Sequence, residues 1–135
     1  MSRQLKGVTK LPESELAVMQ LIWDMTKAGE AITEITAGNL MDRYPEQVGH
    51  LKLTTVLTLI SRLITKGFVS AEKLGRAYCY TPIVDEENYK QMAAVDFVKT
   101  VYKNDSRGLI SALVTDGILT EKDIDELMKG LGEKK

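Results

Sequence analysis

Cysteine and histidine are almost missing from this chain: Cys79 and His50 are the only ones among 135 residues. A single cysteine rules out an intrachain disulfide, and the pair falls short of the ligand set of a Cys/His zinc site. No Asp-rich loop has EF-hand spacing, so neither a metal nor a cofactor is expected. An enzyme is equally poorly supplied. The sequence has no Gly-rich phosphate loop, no paired carboxylates and no nucleophile with a base beside it. No apolar run approaches the roughly 20 residues that span a bilayer, so membrane insertion is not expected. Residues 1–7 lack the apolar stretch of a signal peptide, and a cytoplasmic protein is anticipated.

What is present is ordinary in amount, at 44% hydrophobic and 27% charged, enough for one small core and an added oligomerisation segment. The charge is unevenly placed. Residues 1–82 hold ten Lys and Arg against eight Asp and Glu, whereas 83–135 hold eight against eleven. Within 52–76 the cations Lys52, Arg62, Lys66, Lys73 and Arg76 meet one acid, Glu72. An anionic partner belongs there, although a solvated basic face would give the same count.

The periodicity predicts a first helix from about Pro12, with Leu16, Met19, Ile22 and Trp23 facing a core and Gly29 ending it. A second helix should start at Thr33 as N-cap, run to about Arg43 and stop at Pro45. A third carries Leu53, Val56, Leu57, Ile60, Leu63 and Ile64 at i, i+3, i+4, i+7, i+10 and i+11, one apolar stripe closed by Gly67. Its other face reads Thr54, Thr55, Thr58, Ser61, Arg62, Thr65 and Lys66, with no acid. Phe68–Lys73 and Ala77–Thr81 then read as two strands joined by Leu74-Gly75-Arg76. A long helix over 85–103, a short one over 106–115 and a last one N-capped by Thr120 complete the chain. The fold class is therefore mainly α with a small β-hairpin: a winged helix-turn-helix followed by a helical segment. Residues 1–10 are expected as a flexible tail, 11–82 as the winged-helix DNA-binding domain and 83–135 as a helical dimerisation region.

Several stretches carry a resemblance to a known family. Leu16–Trp23 with Glu15, Met19 and Trp23 is similar to the first helix of the BlaI/MecI/CopY penicillinase-repressor family. Thr54–Leu63 followed by Lys66-Gly67 resembles its recognition helix, Gly75-Arg76-Ala77-Tyr78 with Tyr80 its wing, and Leu119–Leu127 its terminal helix. The match runs in one order over roughly 11–131. It implies a homodimeric repressor on a palindromic double-stranded DNA operator, and an inactivating protease as a further partner. Two departures stand out. The copper-responsive branch ends in Cys-x-Cys pairs, which this chain lacks, and the Asn-Phe bond cut in the β-lactam branch falls on Ala112-Leu113 here.

The acid-free face is chemically suited to DNA. Hydroxyls can bond phosphates or base edges, and Thr methyls can meet a thymine methyl. Lys52, Thr54, Thr55, Thr58, Ser61, Arg62, Lys66, Lys73 and Arg76 are therefore the candidate DNA contacts, with Arg62 and Lys66 better placed for backbone phosphates than for bases. Candidate dimerisation residues are Met92, Val95, Phe97, Val98, Val101, Tyr102, Ile124, Leu127, Met128 and Leu131, because such bands exceed what one small chain can bury. Trp23 and Cys79 read as core residues, and His50 as a plain loop residue. The alternative function is a winged-helix module used for protein contact without DNA.

Overall fold

A computed structural model describes residues 8–133. Most of the expected flexible tail thus lies outside the described residues. The element order is α1 (Glu13–Lys27), a 3-10 turn (Ile32–Glu34), α2 (Ala37–Arg43), α3 (Pro45–Val48), α4 (Leu53–Thr65), β1 (Val69–Leu74), β2 (Ala77–Pro82), α5 (Glu86–Thr100), α6 (Ser106–Thr115) and α7 (Glu121–Glu133). Several helix starts have a local cause. Pro12 precedes α1, whose Glu13 and Glu15 lie at the positive end of the dipole. Thr36 caps α2 by accepting from Asn39 N, so the cap lies three residues beyond the expected Thr33, which is taken up in the 3-10 turn. Asp105 caps α6. Thr120 and Asp123 exchange bonds of 3.0 and 3.1 Å in a capping box at α7.

Pro45 ends α2 as expected, but it also occupies the first position of the short α3. This makes the turn before α4 tight. A Cβ on Gly49 would lie 2.5 Å from the Pro45 carbonyl oxygen and 2.8 Å from its Cα.

The described residues form two compact units that divide between Met92 and Ala93. In the first, α1 and α4 pack together, and Val18, Met19, Ile22, Leu40, Val56, Ile60, Leu63 and Phe68 are each at most 1% exposed. Burying such side chains contributes roughly 1.5–3 kcal/mol apiece. The hairpin is antiparallel, pairing Val69 with Pro82 and Lys73 with Tyr78, and Gly75 turns it at φ +69°. Its second strand is tied down where Tyr80 N donates to Ile35 O at 2.9 Å. The sequence suggests a break near Pro82–Asp85, whereas the units divide inside α5. The first two turns of α5 belong to the first unit because Tyr89 is buried there: its ring lies 5.8 Å from Trp23 and 5.7 Å from Phe68, and its hydroxyl accepts from Leu11 N at 2.7 Å. Trp23 is core, as expected, and its indole N–H donates to Val84 O at 2.9 Å.

The second unit is different in kind, because none of its described residues is buried. Phe97 and Tyr102 meet as tilted rings with centroids 5.8 Å apart, yet Val101, Ile118, Leu127, Met128 and Leu131 are more than half exposed. Lys103 and Asn104 turn the chain with φ of +51° and +70°, a left-handed conformation unusual for residues other than glycine. Among the described residues no helix is long and apolar enough to cross a membrane.

The Gly49 turn yields a direct test. Gly49→Ala should lower stability by about 1–3 kcal/mol, since the clash is with backbone that cannot rotate aside. Thermal melting would read this as a fall in Tm, and an unchanged Tm would mean that the turn has slack.

Candidate nucleic-acid interface

The helix α4 has to satisfy two demands at once. Its buried arc is Val56, Leu59, Ile60 and Leu63, each at most 7% exposed. The sequence stripe was placed differently. Leu53, Leu57 and Ile64 are 49, 40 and 39% exposed, so they are not core, and Leu59 takes their place. The reason is packing: adding Leu59 widens the apolar arc beyond what α1 can cover, and the hairpin side of the helix is left open. A helical wheel that included Leu59 would have revealed the excess.

Thr54, Thr55, Thr58, Ser61, Arg62 and Thr65 share the exposed side. The Thr58 hydroxyl donates to Thr54 O at 2.9 Å, which leaves its oxygen lone pairs and its methyl group for a partner. The N-terminal end of α4 is bare. Lys52 stands at the N-cap position with no side-chain cap bond, and the first turn has no acid. Every other described helix has a side-chain cap bond or an acid in its first turn. An uncapped helix end with a lysine beside it concentrates positive potential where N–H groups remain free to bind an anion.

The cations are not equivalent. Among the described residues no acid lies within ion-pair distance of Lys52, Arg62, Lys73 or Arg76. Lys66 differs: its ammonium is 2.6 Å from a carboxylate oxygen of Glu15, whose side chain is 4% exposed. Glu15 is the one buried charged residue among the described ones, and Lys66 is engaged in keeping it paired. The sequence reading noted Glu15 only in α1 and missed this bond, since nothing local links positions 51 residues apart. Arg76 is exposed at the hairpin turn, and Lys73 lies 5.9 Å from the centroid of the exposed Tyr78 ring. Burial pushes the Tyr80 phenol above its ordinary pKa. His50 is exposed in the loop before α4, and Cys79 is buried with its sulfur 3.8 Å from Thr33 O. Among the described residues no group of three or more His, Cys, Asp or Glu could hold a metal ion.

Three helices, a long exposed recognition-type helix and an antiparallel wing define a winged helix-turn-helix protein. Comparison with known proteins places it more narrowly. The penicillinase repressor family matches residues 11–133, and the chain belongs to that family. It is 27% identical to the penicillinase repressor of Bacillus licheniformis over 97% of this chain and 96% of that protein. It is 28% identical to the methicillin resistance regulatory protein MecI of Staphylococcus aureus, covering 93% and 95% respectively. A solution structure of the monomeric form of BlaI from Bacillus licheniformis, in complex with the blaP half-operator, matches 61% of this chain and 90% of its own at 28% identity, with a TM-score of 0.46. The family is one of repressors, which answers the question of enzyme or non-enzyme.

The Glu15–Lys66 pair can be tested against its surroundings. Lys66→Met should cost about 3 kcal/mol, because it strands a buried carboxylate, and adding Glu15→Gln should restore most of the loss. Urea unfolding of the two single variants and the double variant measures the coupling. Additive effects would show that the two groups act independently.

Proposed function

We propose that this protein is a sequence-specific DNA-binding transcriptional repressor that acts as a homodimer on a palindromic operator. The single observation that carries the reading is the acid-free, hydroxyl-rich face of α4 with its uncapped positive end. Such a face suits the major groove, with Thr54, Thr55, Thr58 and Ser61 toward base edges and Lys52 and Arg62 toward phosphates. Lys73 and Arg76 on the wing extend the same positive surface. Lys66, tied to Glu15, contributes through the position of α4 and not through a phosphate. The relatives named above support the reading, since one is a penicillinase repressor and another a methicillin resistance regulatory protein.

Dimerisation rests on the second unit and the end of the first. Val95, Phe97, Val101, Leu127, Met128 and Leu131 are exposed, and Val98, Tyr102 and Ile124, with Met92 at the end of the first unit, are only half-buried. A second copy is the natural cover for apolar surface of this extent. Linking two DNA-binding halves raises avidity by roughly 10²–10⁴ without any new contact, so separating them would empty the operator. A protease acting at Ala112-Leu113 would do so by detaching α7. That bond lies in the last turn of α6, where Ala112 O accepts from Asp116 N at 3.0 Å, so this turn has to unwind before cleavage.

Two measurements test the proposal. Arg62→Ala should weaken binding to all duplexes alike and reduce the salt slope by about one, while Thr55→Ala should alter preference among operator variants. If neither change has an effect, α4 is not the reading helix and the protein-contact alternative gains. In sedimentation the full chain should run as a dimer and a 1–103 fragment as a monomer. A monomeric full chain at high micromolar concentration would overturn the dimer.

A further inference from the structure

Ile83, Val84 and Asp85 alone separate the hairpin from α5, and each of them is held. Ile83 N donates to Phe68 O at 2.7 Å, and Val84 O accepts the Trp23 indole N–H at 2.9 Å. Asp85 starts α5: its carbonyl accepts from Tyr89 N at 3.0 Å and its carboxylate from Asn88 N at 3.2 Å. The first two turns of α5 are gripped as well. Glu86 pairs at 2.9 Å with Lys27, the last residue of α1. Tyr89 is the buried residue of α5, at 4% exposure. Its ring meets Trp23 of α1 and Phe68 at the root of the hairpin, and its hydroxyl takes the N–H of Leu11 from the segment before α1. Three separate parts of the first unit thus hold one helix start at a single side chain.

Reading DNA does not call for this grip, since none of these residues lies on the exposed face of α4. Its effect falls on α5. That helix is continuous from Glu86 to Thr100, so fixing its first two turns fixes the direction in which it leaves the first unit. We propose that Tyr89 is a positioning residue for operator choice: by pinning that direction it makes the dimer accept two half-sites at one separation only. The inference rests on the homodimer reading and adds to it a residue that selects spacing without touching DNA.

Duplex geometry makes such a pin consequential. One base pair inserted between two half-sites moves them about 3.4 Å apart and turns one against the other by about 34°. Over so short a distance the duplex resists compensating, its persistence length being about 150 base pairs. A loose tether would tolerate the change, because its effective concentration falls only as about the −3/2 power of its length. A pinned helix start leaves no such slack, and one half has to give up its contacts.

The experiment uses the full chain and a palindromic duplex that it enriches from a random-sequence library. The centre of that duplex is then shortened or lengthened by one to three base pairs. A change of two base pairs should cost the wild type about 10²-fold in affinity, the lower end of what linking two halves adds. Tyr89→Leu keeps apolar bulk but removes the ring contacts and the hydroxyl, and should cut that loss to below about ten-fold. Trp23→Phe keeps a ring in the core but removes the bond to Val84 O; it should also cut the loss, and it decides the matter if Tyr89→Leu does not fold. Tyr89→Phe keeps the rings and should keep the wild-type loss. Leu40→Ala opens the core on α2 and should lower the Tm while leaving the spacing preference unchanged. Affinity for an isolated half-site should stay at the wild-type value in each Tyr89 and Trp23 variant.

A full wild-type loss in folded Tyr89→Leu, or a wild type that binds all spacings alike, would overturn the inference. Equal flattening by Leu40→Ala would overturn it too, reducing Tyr89 to a stabilising residue. A full chain that runs as a monomer or enriches only single half-sites would instead remove the dimer reading on which the inference rests.

Discussion

The packing of α4 against α1 is the contact on which the first unit depends. Val56, Leu59, Ile60 and Leu63 enter the core, and the direction they point decides which side chains are left outside. Thr54, Thr55, Thr58, Ser61 and Arg62 can line up outward only because that inward arc is held. Two further features stop the helix from rolling. The Gly49 turn limits the approach from α3, and the Glu15–Lys66 pair pins the C-terminal end to α1. A buried ion pair of this kind adds little net stability, since desolvation offsets its attraction. Its value lies in penalising every arrangement that separates the two charges.

The two units solve the problem of apolar surface in opposite ways. The first closes its core within itself, down to the Trp23, Phe68 and Tyr89 rings that draw the first two turns of α5 into it. The second has helices with sound local signals, including the Asp105 cap and the Thr120–Asp123 box, but no buried side chain among its described residues. Capping makes a helix persist; it does not give the helix anything to pack on. A segment with strong local structure and open apolar faces is built for association.

Much of the fold was legible in the sequence, and the reasons are local. The Gly29, Gly67 and Gly75 stops, the α6 span over 106–115 and the Thr120 cap follow from residues within a turn of one another. The winged helix-turn-helix was readable because element order alone specifies it. What could not be read depended on distance. Thr33 and Thr36 are equally good caps by type, and only the hydrogen bond to Asn39 separates them. Leu53, Leu57 and Ile64 have the right spacing for core, yet the amount of surface that α1 offers decides which leucines enter. The acid-free face of α4 was visible from composition and spacing. Its division into free cations and the one paired with Glu15 was not.

The position of Trp23 has an optical consequence. It is the sole tryptophan in the chain, it is buried, and its indole N–H is held by Val84 O where the chain leaves the hairpin for α5. Emission excited at the red edge of protein absorption therefore arises from one site in the first unit. The second unit contributes no tryptophan and, among tyrosines, only Tyr102. Unfolding of the first unit can accordingly be followed by the colour of a single native fluorophore, with the second unit dark at that wavelength and no label attached to either.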